Sequence, residues 1–129
     1  MSPILLAGTI IVNLALISYA VGIIGEQRSH RVSSRVLAFL VVGVVLDVTA
    51  TACMIAGSSR GPFTPHGFLG FSSLAAMLVE TALAWRHRKA HGDDLVPTWL
   101  HRWSRIAFGW WLVAYVTGAL LVMGARQAG

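Results

Sequence analysis

The chain has 129 residues, 56% of them hydrophobic and only 12% charged, with ten Lys and Arg against five Asp and Glu. Soluble domains carry roughly a quarter charged residues, so an ordinary water-soluble core is excluded. A net charge of +5 would suit nucleic acid, but the basic residues fall between long apolar runs, which argues against that partner and for a membrane topology signal.

In chain order the apolar runs cover 4–24, 36–56, 67–85 and 106–123. Each is close to the ~20 residues a helix needs to cross the hydrocarbon layer, and backbone groups in lipid must pair within the segment. The fold expected is all-α, an integral membrane four-helix up-down bundle in one domain spanning 1–129, with spans at about 4–24, 36–56, 67–85 and 104–123. The first run follows "MSPILLAG", which lacks Lys and Arg, and it is longer than a signal-peptide core, so it reads as a retained span. The connection "GEQRSHRVSSR" brings Arg28, Arg31 and Arg35. After span two, "GSSRGPFTPH" places Pro62 and Pro65 just ahead of a helix start. The last connection holds Arg86, Arg88 and Lys89, and "TWLHRWSR" leads into span four with Trp99 and Trp103 suited to the headgroup zone. Eight of the ten basic residues thus lie on one side, leaving Arg60 and Arg126 on the other. The positive-inside rule then puts both termini outside and these loops in the cytoplasm, where anionic lipid is a further contact. The single cysteine, Cys53, excludes an intrachain disulfide, and zinc-type Cys/His spacings are absent.

Polar groups inside the spans are costly, about 2.5 to 3.5 kcal/mol for a carboxylate at mid-bilayer on insertion scales, and they usually turn inward. Asn13, Asp47 and Glu80 are the three. Gly43, Asp47, Thr51 and Met54 share one stripe of span two; His66, Gly70, Ser73, Met77 and Glu80 share one of span three. Small residues on such stripes serve close helix packing. Asp47 and Glu80 are either a proton-sharing pair or separate groups bonded to Asn13, Thr51 or Tyr115. His66 stands at the outer end of span three and His101 at the inner start of span four, so they cannot share one iron. Met54, then Met123, match the depth of His66; His87 or an open position matches His101. His30, His87 and His91 read as solvated loop residues.

Three segments, "VVGVVLDVTATACM", "HGFLGFSSLAAMLVETALAW" and "LHRWSRIAFGWWLVAYVTGAL", together resemble the HsmA family of small four-span bacterial membrane proteins, linked to haem capture and to protection against haem or oxidative stress. The resemblance covers nearly the whole chain and is anchored at Asp47, His66, Gly67, Gly70 and His101. It implies a multi-pass protein of the bacterial cytoplasmic (inner) membrane that binds b-type haem, with His66 and His101 as haem and metal contacts and Asp47 as a buried polar anchor. The last segment is also similar to the histidine-bearing helices of b-type cytochromes and ferric-reductase-like proteins. Glu80 departs from the family pattern, which has a histidine there, and its presence weakens any bis-histidine inner site.

The first functional expectation is therefore haem binding for sequestration, with electron transfer as an extension. His66, His101, Met54, Gly70, Tyr115 and Arg105 form the expected cofactor-binding set, and Trp110 and Trp111 add to its lining. Arg102 and Arg105 either meet propionates or simply anchor the topology. The rival is a small proton-coupled transporter or efflux subunit using Asp47 and Glu80 with Asn13 and Thr51, completed by a homo-oligomer because four spans are few. A structural subunit of a membrane complex is the third. No residue pattern assigns a catalytic group.

Overall fold

A computed structural model of the chain contains four helices, α1 (Pro3–Ser29), α2 (Ser34–Gly57), α3 (Pro65–His91) and α4 (Thr98–Ala128). The structure describes residues 3–57, 65–92 and 94–128, and within them the side chains of 65, 66 and 121–128 fall outside the description. Each helix runs beyond its expected apolar span. This happens because the helical hydrogen-bond ladder continues through polar residues wherever a neighbouring helix or loop gives them partners.

Burial follows one period on all four helices. The inward positions are Gly8, Ala15, Tyr19, Gly22 and Glu26 on α1, then Val36, Leu40, Gly43, Asp47 and Ala50 on α2. On α3 they are Ser73, Met77, Glu80, Ala84 and His87; on α4 Leu100, Ser104, Ala107, Trp111 and Ala114. Alternating steps of three and four residues average 3.5, the repeat that keeps a helix seam facing its partners in a bundle. Thr51 and Met54, expected on the inward stripe of α2, are half-buried at its edge.

Large apolar side chains point outward from every helix, among them Ile10, Leu14 and Ile17 on α1, Val45 on α2, Leu78 on α3 and Val113 on α4. In water such a surface would be a liability. Among the described residues, α1, α2 and the stretch Gly67–His91 of α3 are long and apolar enough to cross a membrane. The apolar run of α4 extends past residue 120, where side chains are not described.

The helix ends at 30–33 and 92–97 carry their own signals. Ser33 caps α2, its Oγ accepting from Val36 N at 3.1 Å. α1 and α3 both end on a left-handed residue, His30 (φ 56°) and Gly92 (φ 62°), each donating its N–H to the carbonyl four residues back at 2.7 Å. Glycine adopts this region freely and histidine does so less commonly, so His30 is held there by its surroundings. Those surroundings are the other connection: Val96 N donates to His30 O at 2.7 Å, and Arg31 and Leu95 form an isolated antiparallel bridge. Arg88 donates to Val32 O at 3.0 Å. His87 Nε2 lies 3.1 Å from Asp94 O. The expectation of a solvated loop residue fails for His87, which is buried on α3 because the helix continues to His91.

Candidate functional site

The polar residues of the interior form a column, each level tying different helices together. At one level Tyr115 Oη of α4 donates to Asn13 Oδ1 of α1. Asn13 also donates to Thr9 O at 2.7 Å. The indole of Trp111 lies parallel between the rings of Tyr115 and Phe108, at centroid separations of 5.7 and 6.2 Å.

The next level is built on Asp47 of α2, which is 5% exposed. Its Oδ2 accepts from Tyr19 Oη of α1 and from Trp111 Nε1 of α4, both at 2.9 Å. The two donor rings meet edge to face at 5.1 Å. This geometry needs the helix backbone of α2 close to Tyr19, and Gly43 supplies the space: a Cβ there would fall 2.4 Å from Tyr19 Cδ1. The sequence expectation that Asp47 is a buried polar residue holds, and the small residue one turn away serves close packing. Its partners, however, are Tyr19 and Trp111 rather than Asn13, Thr51 or Tyr115.

The third level gathers residues near the bridged loops. Glu80 of α3, 1% exposed, accepts from Ser104 Oγ of α4 at 2.6 Å, while its Oε2 has no partner among the described residues. Thr81 Oγ1 and Trp103 Nε1 are likewise buried without partners among them. Glu26 of α1, also 1% exposed, meets α4 at His101, three residues before the Ser104 that serves Glu80. The Oε1 of Glu26 lies 3.0 Å from His101 Nδ1, and its Oε2 accepts from Gln27 Nε2 at 2.6 Å. Gln27 also donates to His101 O at 3.0 Å. The His30 ring stacks on the His101 ring at 4.2 Å and 18°. Among the described residues no hydrogen bond joins Asp47 to Glu80; the carboxylate that shares a level with Glu80 is Glu26.

The remaining expected residues are placed as follows. His66 begins α3, but its side chain lies outside the described residues, as does that of Met123. Met54 packs over α1, its Cγ 3.2 Å from where a Cβ on Gly8 would stand. Gly70 has open space where a Cβ would be, so it is not a packing glycine. Arg102 and Arg105 are exposed, and Tyr115 and Thr51 half-buried. The expected set is therefore not gathered around one point: Met54 faces α1, and Tyr115 belongs to the level opposite His101.

Three residues of the column, Glu26, Tyr19 and Ser104, are not legible from apolar runs alone. Glu26 follows span one and reads as loop. The signal that finds it is the spacing Ala15, Tyr19, Gly22, Glu26, which continues the 3.5 repeat beyond the apolar run.

Haem needs a nitrogen or sulfur donor held in a fixed orientation. Among the described residues no three His, Cys, Asp or Glu converge, and Glu80 is engaged with Ser104. His101 fits for one donor. A carboxylate only accepts, so the neutral ring opposite Glu26 carries its proton on Nδ1 and keeps a lone pair on Nε2. Comparison of the chain with protein-family models, curated proteins and solved structures yields no match. The resemblance to the HsmA family rests on the residues alone.

Proposed function

We propose that this chain is a haem-binding protein of the bacterial cytoplasmic membrane, crossing it four times with both termini outside, and that it sequesters haem as the family it resembles is expected to. The observation that carries this reading is the Glu26–His101 bond. A histidine that ligates metal nearly always donates its other ring nitrogen to a carboxylate or carbonyl, which fixes the ring and raises its basicity. Glu26 is itself held by Gln27, so the imidazole is oriented from two residues away. A bound haem would supply an iron for Nε2 of His101. Arg102 and Arg105, one and four residues further along α4, suit propionates at the cytoplasmic headgroup level. His66 is the candidate for a separate outer contact.

The deciding measurement is the absorption spectrum of protein purified in detergent with haem supplied. A Soret band should be present, should disappear in His101→Ala, and should shift or weaken in Glu26→Gln while the helical circular dichroism is kept. No band, or a band indifferent to His101→Ala, overturns the reading.

A second reading is favoured by the buried oxygen of Glu80 that has no partner among the described residues, on the level where Glu26 meets His101. Buried carboxylates inside a bilayer suit proton binding, and hence a proton-coupled transporter assembled from several copies. Flux in liposomes that survives Glu80→Gln and Glu26→Gln would remove it.

A further inference from the structure

Among the described residues there is a groove lined by none of the polar residues of the column. It runs along the outer surface between α1 and α2, with a volume of about 1160 Å³. Its lower walls are apolar, formed by Leu16, Ile17 and Val21 of α1 and Phe39 of α2, and its upper rim carries Arg28, Arg31 and Arg35. From Leu16 to Arg28 the helix advances about 18 Å at 1.5 Å per residue, close to the ~15 Å depth of one leaflet's hydrocarbon.

The three arginines are all exposed. Among the described residues no carboxylate pairs with any of them, and no acidic residue lines the groove. The guanidinium of Arg35 lies 5.8 Å from the centre of the Phe39 ring, which ties one wall of the groove to its charged rim. Ser29 Oγ donates to Gly25 O and Ser33 Oγ accepts from Val36 N, so the charged donors at the rim are the three guanidinium groups. Positive-inside anchoring alone would account for arginines near the surface, but not for a concave apolar channel that starts among them.

From this charge and shape complementarity we infer that the groove is a binding site for an anionic phospholipid of the cytoplasmic leaflet. Its phosphodiester meets Arg28, Arg31 and Arg35, and an acyl chain lies along Leu16, Ile17 and Phe39. Guanidinium forks match phosphate oxygens, and basic pockets between transmembrane helices on the cytoplasmic side suit anionic headgroups. The inference rests on membrane insertion and not on haem.

The test uses the full chain in nonionic detergent. Phosphatidylglycerol or phosphatidylcholine is added, and retained lipid is read by native mass spectrometry. The groove variant is Arg28→Gln/Arg31→Gln/Arg35→Gln, and the charge-matched control is Arg86→Gln/Lys89→Gln/Arg105→Gln. Phosphatidylglycerol should remain on the wild type and the control and fall about 100-fold in relative affinity on the groove variant, about five-fold per arginine. Ala20→Trp, which fills the groove without changing charge, should also displace the lipid. Equal retention by both triple variants, equal retention of phosphatidylcholine, or displacement by glycerol phosphate alone would overturn the inference. So would a groove variant that changes oligomeric state instead of lipid retention, since the occupant would then be a second copy. Extraction of the protein from vesicles by alkaline carbonate would overturn the inference by a distinguishable route, through failure of insertion.

Discussion

Two levels of the polar column use the same chemistry to opposite ends. At Asp47 one carboxylate oxygen gathers donors from α1 and α4, and the rings carrying those donors pack against each other. At Glu80 an equally buried carboxylate receives one hydroxyl, and among the described residues its second oxygen, with Thr81 Oγ1 and Trp103 Nε1 of the same two helices, has no partner. In the membrane setting proposed above, helices have no hydrophobic drive to associate, so packing and hydrogen bonds decide. The first level is a finished joint between three helices. The second holds polar capacity in reserve, and reserve is what a site for a proton or a ligand requires.

This contrast is open to attack by substitution. The largest effect is expected from Asp47→Ala, which leaves a tyrosine hydroxyl and an indole N–H buried without an acceptor. We expect a loss of about 3 kcal/mol in unfolding by sodium dodecyl sulfate in mixed micelles. Asp47→Asn, which keeps an acceptor, should recover most of it. Next comes Gly43→Ala, whose new methyl must push the Tyr19 ring away. A loss of about 2 kcal/mol, with a changed near-ultraviolet circular dichroism from Tyr19 and Trp111, is the expected outcome. Ser104→Ala removes the one donor to Glu80 and should cost about 1 kcal/mol, within the range for an interhelical bond in a bilayer. The smallest effect belongs to Glu80→Gln: it keeps an acceptor for Ser104 and removes a buried charge, so stability should stay within about 0.5 kcal/mol of the parent. A Glu80→Gln loss as large as that of Asp47→Ala would erase the distinction between the levels.

The helix count and the buried status of Asp47 and Glu80 were readable in the sequence because they depend on local hydropathy and helical spacing. Lipid-length apolar runs fix the four helices, and the stripe Ser73, Met77, Glu80 turns inward as its spacing predicts. What could not be read was which helix answers which. Asp47 bonds residues 28 and 64 positions away, and no local pattern encodes such pairings. Glu26 was hidden for a different reason. Hydropathy marks where the apolar run stops, whereas the helix stops at Ser29, where the carbonyls are capped by His30 and the adjoining loop. Gly43 and Gly70 look alike in sequence, yet one is filled by a tyrosine ring and the other faces open space. Only the positions of neighbouring helices separate them.

The link between the two connections, through Val96 and His30 and through Arg31 and Leu95, makes the bundle asymmetric along its length. Among the described residues, backbone bonds between the α1–α2 and α3–α4 hairpins occur only at this end. At the opposite end it is the covalent connection between α2 and α3 that joins them, so His101 and Glu26 lie where backbone hydrogen bonds, not chain connectivity, hold the hairpins together.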